Sequence, residues 1–180
     1  MKKIDFDLVT TKGGDTGETS LYDGSRYRKD DLFFHTVGDV DELNSWLGVV
    51  KNYVNVRYIE TIQKQLFKIG AMVATPTNSE EWKMITELTE KDLLKLEKEQ
   101  NKIIDEADIP LRFIVPGDTK ASAWIDVSRT VCRRAERDIV ACIRDKGMTQ
   151  LIPCQKYLNR LSDYLFVLGR FIEHESKRIR

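Results

Sequence analysis

The chain has 180 residues, 41% hydrophobic and 32% charged, and its 29 basic and 29 acidic residues cancel. This length fits one domain with a sizeable core, residues 1–180, and the balanced charge argues against nucleic acid or an anionic membrane as a partner. No apolar stretch approaches the roughly 18 residues of a membrane span, and residues 1–5 do not open a signal peptide. The three cysteines form no C-x-x-C motif. We therefore expect reduced thiols, no zinc site and a cytoplasmic protein.

Residues 1–35 differ in composition from the rest of the chain, because they hold four of the ten glycines among Thr, Ser, Asp and Lys. We expect residues 10–20 to form neither a helix nor a continuous strand. Glycines let backbone N–H groups turn inward, so this segment could form an anion-binding nest, with Lys29 as an added cation. It is not a P-loop, since no Gly-Lys-Ser/Thr opens a helix. The alternative is a disordered polar tail.

Helical periodicity begins at residue 36 and predicts five helices with short links. The expected helices cover residues 36–53, 59–76, a segment from 89 to about 103, a segment from 119 to about 147, and a segment after 153. Thr89 and Asp92 have the spacing of a capping box for the third helix, and Asp118 is the expected cap of the fourth. Residues 77–88 are expected to form an exposed connection. In the first helix, the simplest role of Asp39, Asp41 and Glu42 is to balance the positive end of the helix dipole.

Five helices with almost no strand signal predict an all-α fold: a five-helix bundle of ferritin-like up-down packing, residues 36–180, with a Gly-rich N-terminal loop segment. A di-iron bundle would need Glu-x-x-His pairs. Neither His35 nor His174 lies three residues after a Glu. Both histidines are therefore expected to be surface or hydrogen-bonded polar residues rather than metal ligands.

The fourth helix carries four arginines within nine residues, from Arg129 to Arg137. At about 100° per residue, one stripe of this helix is polar and the opposite side is apolar. The polar stripe comprises Ser122, Asp126, Arg129, Arg133, Glu136 and Arg137. The apolar side comprises Trp124, Val131, Ala135, Ile139 and Cys142. Arginine forks match phosphate oxygens, so the stripe could hold a polyphosphate. The alternative is a solvated face with intrahelical ion pairs, such as Arg133 with Glu136.

Four segments in order, residues 11–19, 41–45, 129–137 and 157–163, closely resemble the ATP:cob(I)alamin adenosyltransferase family of the propanediol-utilisation type. The match extends over nearly the whole chain. The resemblance implies a homotrimer with shared active sites that moves the 5′-deoxyadenosyl group of ATP onto cobalt of cobalamin and releases triphosphate. It also implies Mg²⁺ as cofactor and a flavoprotein reductase as partner. The alternative function is a trimeric nucleotide or cobalamin carrier or regulator without turnover.

The same resemblance implies roles for individual residues. The triphosphate would be held by Thr11, Lys12, Gly13, Gly14, Thr19, Ser20 and Lys29. The ATP pocket would be completed, with Mg²⁺ near Glu136, by Arg133, Arg134, Ala135, Glu136, Arg137 and Asn159. Arg129 would pair with Asp41, and Phe113 would lie beneath the corrin and displace the lower axial ligand of cobalt. Without the resemblance, Phe113 would be a core plug.

Two positions depart from the family pattern. Asp39 stands where the family usually has Thr, and Asp118 follows Pro116 and Gly117 where a second Gly is common. Neither is expected to touch an implied ligand, although both bear on how the surroundings of Asp41 and Phe113 are set. The expected chemistry needs no Ser, Cys or His base, because Co(I) is itself the nucleophile.

Overall fold

The computed structural model describes residue 6 and residues 10–107, 109–110 and 112–178. The expectation for residues 1–5 lies outside the described residues. The helices are α1 (Leu32–Lys51), α2 (Tyr58–Val73), α3 (Glu90–Asn101), α4 (Lys120–Lys146) and α5 (Ile152–Arg178). Two short 3-10 helices, Glu81–Met84 and Thr149–Leu151, and two strands, β1 (Glu18–Ser20) and β2 (Arg26–Arg28), complete the described secondary structure. No described helix is long and apolar enough to cross a membrane.

The hydrophobic core lies between the five helices, which confirms the predicted helical bundle. The two longest helices, α4 and α5, pack against each other, α1 packs on α4 and on α2, and α3 packs on α5. Leu43 and Leu47 of α1, Ile139 of α4 and Leu165 of α5 are fully buried in this core. Leu43 and Leu47 are four residues apart, which places them on one face of α1. Every site described below is built on the surface of this frame.

The N-terminal segment contains a β-hairpin that the sequence analysis did not predict. β1 and β2 pair antiparallel, with Glu18 opposite Arg28. Gly24 has a φ of 83° in the turn, which suits glycine because it has no Cβ to clash. Only the last three residues of the segment 10–20 enter a strand, so the segment forms neither a helix nor a continuous strand, as expected. Three-residue strands of polar residues carry no periodic apolar signal, so only their pairing reveals them.

The first helix begins four residues earlier than expected, because Asp31 caps it. The Asp31 side chain accepts a hydrogen bond from the backbone N–H of Phe33 at 3.1 Å. The first turn of α1 therefore contains no acidic residue, and residues 39–42 lie two turns inside the helix. Because the helix dipole acts within the first turn, the interpretation that these acidic residues balance it is wrong.

The ends of α3 and α4 are set by hydroxyl capping boxes. The Thr89–Asp92 box at the start of α3 confirms the prediction. At α4 the cap is Thr119, whose hydroxyl accepts from the N–H of Ser122 at 3.0 Å, so the prediction that Asp118 caps this helix is wrong. Asp118 instead forms an ion pair with Lys177 at 2.8 Å. As predicted, α4 ends at a left-handed Gly147.

The two sides of α4 differ from the prediction at its N-terminal half. The apolar residues Val131, Ala135, Ile139 and Cys142 are buried, as predicted. Ser122 and Asp126, assigned to the polar stripe, are buried too. Trp124 is half-buried and its ring stacks on that of Trp46 at 5.3 Å. The polar stripe therefore starts at Arg129, and Asp126 is an interior charge.

Candidate functional site

The glycine-rich loop forms successive tight turns that bring Lys29 back over its glycines. The Asp15 N–H donates to the Lys12 carbonyl, the Gly17 N–H donates to the Gly14 carbonyl, both at 3.2 Å, and the Lys29 N–H donates to the Gly17 carbonyl at 2.9 Å. A Cβ added to Gly14 would lie only 2.6 Å from the Lys29 ammonium. This packing confirms that Lys29 joins the loop, and it contradicts the alternative of a disordered polar tail.

The loop contains one non-glycine residue in the left-handed conformation that anion-binding nests include. Lys12 has a φ of 58°, a left-handed conformation that a non-glycine residue rarely adopts. Arg26 of β2 donates to the Gly13 carbonyl at 3.0 Å and to Glu18 at 3.3 Å. Its charge is therefore already balanced. Of the remaining predicted triphosphate ligands, Thr11, Lys12, Gly13 and Ser20 are exposed and Thr19 is half-buried.

On α4, Arg133 forms no ion pair with any described residue, although two of its neighbours are fixed. Glu136 accepts a hydrogen bond from the Asn159 side chain of α5 at 3.1 Å. Arg137 donates to the Arg133 carbonyl at 3.0 Å. The alternative Arg133–Glu136 pair is therefore not formed, since the Glu136 carboxylate is bonded across to α5. Arg133 is left as an exposed cation next to a carboxylate and an amide.

Arg134 points in a different direction from Arg133 and is bound to α1. Its Nε donates to Asp39 at 2.8 Å, and its terminal nitrogen also contacts Glu42. The hydrogen bond from Arg134 to Asp39 raises the pKa of this guanidinium. The side chain of Ala135 is fully buried. Arg134 and Ala135 therefore join α4 to the rest of the bundle, and the expectation that Asp39 touches no implied ligand is wrong, because Arg134 is one of them.

A cavity of about 450 Å³ opens beside Arg133. Its apolar lining includes Ile104, Ile109 and Phe166, and its cationic lining includes Arg129 and Arg133. Concave sites of this kind, largely apolar with a few charged groups, are typical of ligand-binding sites. The cavity could accept a flat apolar group whose edge lies near phosphate oxygens.

Phe113 and Asp41 lie on other surfaces. Phe113 is fully exposed, so the alternative that it plugs the core is wrong; it lines an open cavity of about 820 Å³ with Arg170 and His174. His35 is exposed and His174 is half-buried, and the His174 Nδ1 is buried without a described hydrogen-bond partner. Asp41 is exposed in an apolar groove between α1 and α2 that Phe67 also lines.

A single copy of the chain does not bring all the predicted site residues together. Among the described residues, no hydrogen bond or ion pair joins residues 10–29 to residues 129–137. Asp41 has no described contact with Arg129, whose Nε instead donates to Asp126 at 3.2 Å. The described part of the chain thus holds two half-sites, the loop and the arginine helix, that are not connected to each other.

The surroundings of Glu136 fit a metal ion that is coordinated mainly by the phosphates of a bound substrate and only in part by the protein. Within the ranges that the structure describes, no three His, Cys, Asp or Glu side chains form a metal-binding group. Mg²⁺ usually keeps several waters and is bound through one or two carboxylates together with substrate phosphates. One carboxylate beside two arginines therefore fits a Mg²⁺ ion that arrives with a polyphosphate.

Sequence reasoning missed the ion pairs that connect helices. Asp39 and Glu42 are three residues apart on α1, so they share one face and could have signalled a common cation. Asp126 has two partners, and only Arg129, three residues on in the same helix, has such a signal; the other is Arg170, at 2.6 Å and 44 residues away along the chain.

Comparison with known proteins identifies the family to which the chain belongs. Residues 9–172 match the family model described as cobalamin adenosyltransferase. Two curated relatives are named corrinoid adenosyltransferase: that of Bacillus subtilis (strain 168) is 34% identical over 92% of this chain and 86% of its own length, and that of Citrobacter freundii is 37% identical over 92% and 94%. A solved structure, a Phe-to-Ala variant of the PduO-type ATP:corrinoid adenosyltransferase from Lactobacillus reuteri complexed with cobalamin and ATP, superposes with a TM-score of 0.85 at 31% identity, covering 94% of this chain and 95% of that one. Over nearly its whole length, the chain belongs to the cobalamin adenosyltransferase family.

Proposed function

We propose that this protein transfers the 5′-deoxyadenosyl group of ATP to Co(I) of a corrinoid, in sites shared between the subunits of a homotrimer. The observation that carries the proposal is the unpaired Arg133, at the mouth of a largely apolar cavity and next to the Glu136–Asn159 pair. A cation beside an apolar cavity suits a substrate pair in which a triphosphate meets a large ring.

The reaction is a displacement at C5′ of ATP. The electron pair of Co(I) forms the Co–C5′ bond, the C5′–O bond breaks, and triphosphate leaves with that bonding pair while cobalt becomes Co(III). The protein must hold C5′ in line with cobalt and stabilise the charge that develops on the triphosphate. Arg133, Arg137 and Lys29 supply positive charge for that task.

The ATP ligands divide between the two half-sites. The loop contributes Thr11, Lys12, Gly13, Gly14, Thr19, Ser20 and Lys29. The arginine helix and α5 contribute Arg133, Glu136, Arg137 and Asn159, and Glu136 would hold a Mg²⁺ ion, which would neutralise part of the phosphate charge. Arg134 and Ala135 act indirectly, Arg134 through its ion pairs to α1 and Ala135 through core packing.

A second copy of the chain would complete each site. The α1–α2 groove exposes apolar surface, including Phe67 at 67% exposure, and exposed apolar patches mark interaction surfaces. If a neighbouring subunit covers this groove, Asp41 enters the interface and can pair with Arg129 of that neighbour. The loop of one subunit would then close over the arginine helix of the other.

Phe113 acts on the corrin side of the site. Its ring is fully exposed, has no atom that coordinates cobalt, and excludes water that could. Removing an axial donor makes reduction easier, because the donor stabilises Co(II) more than Co(I). The role expected for Phe113 is therefore to keep the lower face of cobalt free of ligand.

The deciding experiment incubates the protein with ATP, Mg²⁺, cobalamin and a strong chemical reductant. We expect a light-sensitive Co–C bond to form, with one triphosphate released per adenosyl group. Tight binding of ATP and cobalamin without Co–C bond formation would support the carrier or regulator instead. A carrier has no need to stabilise a leaving triphosphate, so Arg133→Ala would then have no catalytic step to affect.

Other expectations stay predictions. The three cysteines are free and buried, which agrees with reduced thiols in the cytoplasm, and one continuous hydrophobic core agrees with a single domain. The flavoprotein reductase and the absence of nucleic acid and membrane partners rest on the sequence.

A further inference from the structure

Four charged side chains form a row from α5 to α4, and three of them are buried. Asp126, Arg170 and Glu173 are 5%, 4% and 7% exposed. Arg170 contacts Asp126 at 2.6 Å and Glu173 at 3.1 Å through the same terminal nitrogen. The other Asp126 oxygen accepts from the Nε of Arg129 at 3.2 Å. Two cations and two anions thus form a neutral row that ends at Arg129.

We propose that Asp126 is a positioning residue for Arg129. It binds only the Nε of Arg129, so both terminal nitrogens of that guanidinium have no partner among the described residues. Arg129 lines the same cavity as Arg133 and Phe166. The tether therefore leaves the two terminal NH2 groups of Arg129 free at the cavity, where the Asp41 carboxylate of a neighbouring subunit would pair with them. This inference rests on the proposed function.

The buried part of the row explains why the tether is rigid. A buried carboxylate is unfavourable unless it is paired, and Arg170 supplies that pairing from α5. The Arg170 guanidinium also lies 5.6 Å from the centre of the Phe166 ring, within the range of a cation–π contact. Arg170 therefore contacts both Asp126 and Phe166. Through these two contacts it fixes Arg129 and Phe166 relative to each other in the cavity that both line.

A purely structural role predicts a different pattern of defects. If Asp126 only balances Arg170, then Asp126→Asn should lower stability and change activity by the same factor whether or not Arg129 is present. If it positions Arg129, its effect on turnover should vanish once Arg129 is removed. The two cases are separated by a double-mutant cycle.

The test measures kcat and the KM for ATP in the full-length protein. We expect Asp126→Asn to lower kcat about 10-fold to 100-fold, as misplacement of a site group can, with the KM for ATP within about twofold of the wild-type value. In the Arg129→Ala background, Asp126→Asn should cause no further loss. The matched control is Asp92→Asn, which alters a carboxylate of similar burial that contacts Thr89 and Gln65; it should lower the melting temperature and leave kcat unchanged.

Two further measurements keep the proposal testable if Asp126→Asn folds poorly or turnover is absent. Arg129→Lys leaves the buried charges intact but has no Nε–H tether, so its kcat should fall as far as that of Arg129→Ala. In ¹⁵N spectra, the Arg129 Nε–H should exchange slowly in the wild type and quickly in Asp126→Asn. Wild-type kcat in Asp126→Asn or in Arg129→Lys, or equal losses in both backgrounds of the cycle, would overturn the proposal. If the wild-type protein shows slow exchange of the Arg129 Nε–H but forms no Co–C bond, the proposed function is wrong, whereas the contact between Asp126 and Arg129 is supported.

Discussion

Arg134 and Asp39 form a hydrogen-bonded ion pair, Nε to Oδ2 at 2.8 Å, that joins α4 to α1. The preceding residue, Arg133, is exposed and has no ion-pair partner among the described residues. Consecutive helical residues point about 100° apart, and here Arg134 is bound to α1 whereas Arg133 is free to bind a ligand. Their substitution should therefore produce different defects.

Arg133→Ala should lower kcat/KM for ATP about 10-fold to 150-fold, because a hydrogen bond to a charged phosphate contributes about 1.5–3 kcal/mol. Its melting temperature should not change. Arg134→Ala should instead lose about 1 kcal/mol or less of stability, since its ion pairs are partly exposed. Steady-state kinetics and thermal melts of both variants test this, and full activity of Arg133→Ala at limiting ATP would refute the phosphate assignment.

Gly14→Ala should weaken ATP binding by displacing Lys29. The new Cβ would lie 2.6 Å from the Lys29 ammonium, and a lysine side chain can move away, so the fold should survive. We expect the KM for ATP to rise roughly tenfold, which corresponds to the lower end of the range for a hydrogen bond to a charged group. Adding Lys29→Ala to Gly14→Ala should raise the KM little further. Gly48→Ala is the control, because its Cβ would meet Gln63 only at an ordinary 3.7 Å. Equal KM values for Gly14→Ala and the wild type would show that Lys29 does not bind the triphosphate.

Phe113→Ala should leave ATP affinity nearly unchanged, since Phe113 is exposed away from the loop and the arginine helix. It should slow adenosylation that starts from Co(II) more than adenosylation of pre-reduced Co(I), because axial ligation matters most while cobalt is divalent. Because the ring is exposed, the melting temperature should stay the same. Equal slowing of both reactions would show that Phe113 does not act on axial ligation.

Asp41→Asn and Arg129→Ala should each lower kcat strongly without abolishing it, because each removes one partner of the proposed interface pair and leaves the other charge partly buried and unpaired. Co-expression of the two variants tests the shared site directly. In a mixed trimer, one interface joins an intact Asp41 to an intact Arg129, so part of the activity should return. Purified mixed trimers as inactive as their parents would mean that the pair does not cross the interface.

Asp138→Asn should stabilise the protein at neutral pH and not at acid pH. Burial raises the pKa of the Asp138 carboxyl, and the negative charge of Asp39 raises it further, whereas His35 and Arg137 lower it. A carboxyl with a raised pKa in the folded state stabilises below its unfolded pKa, and this contribution is lost as the pH rises through the folded value.

Urea unfolding of Asp138→Asn should therefore give a gain of about 0.5–1 kcal/mol at pH 7 that disappears near pH 4. Asp145→Asn is the opposite control, because the hydrogen bond from Arg144 lowers the pKa of Asp145, so its substitution should bring no gain at pH 7. The same gain for Asp138→Asn at every pH would rule out the like-charge explanation.

The sequence by itself determined the features that depend on neighbours along the chain. The Thr89–Asp92 capping box, the Gly147 stop and the buried series Val131, Ala135 and Ile139 all follow from spacings of three or four residues. A helix repeats every 3.6 residues, so its caps and apolar face are encoded within one or two turns. The order of the four motifs, matched over most of the chain, pointed to the family in the same way.

Only the tertiary structure decided which charges are paired. Arg134 meets Asp39 across 95 residues of sequence, Arg170 meets Asp126 across 44, and Asp126 is interior although its helical position suggested a polar surface. The hairpin and the exposed Phe113 were missed for a related reason. Electrostatic and packing energies depend on distance through space. Helix packing sets that distance, whereas the spacing of residues along one helix does not.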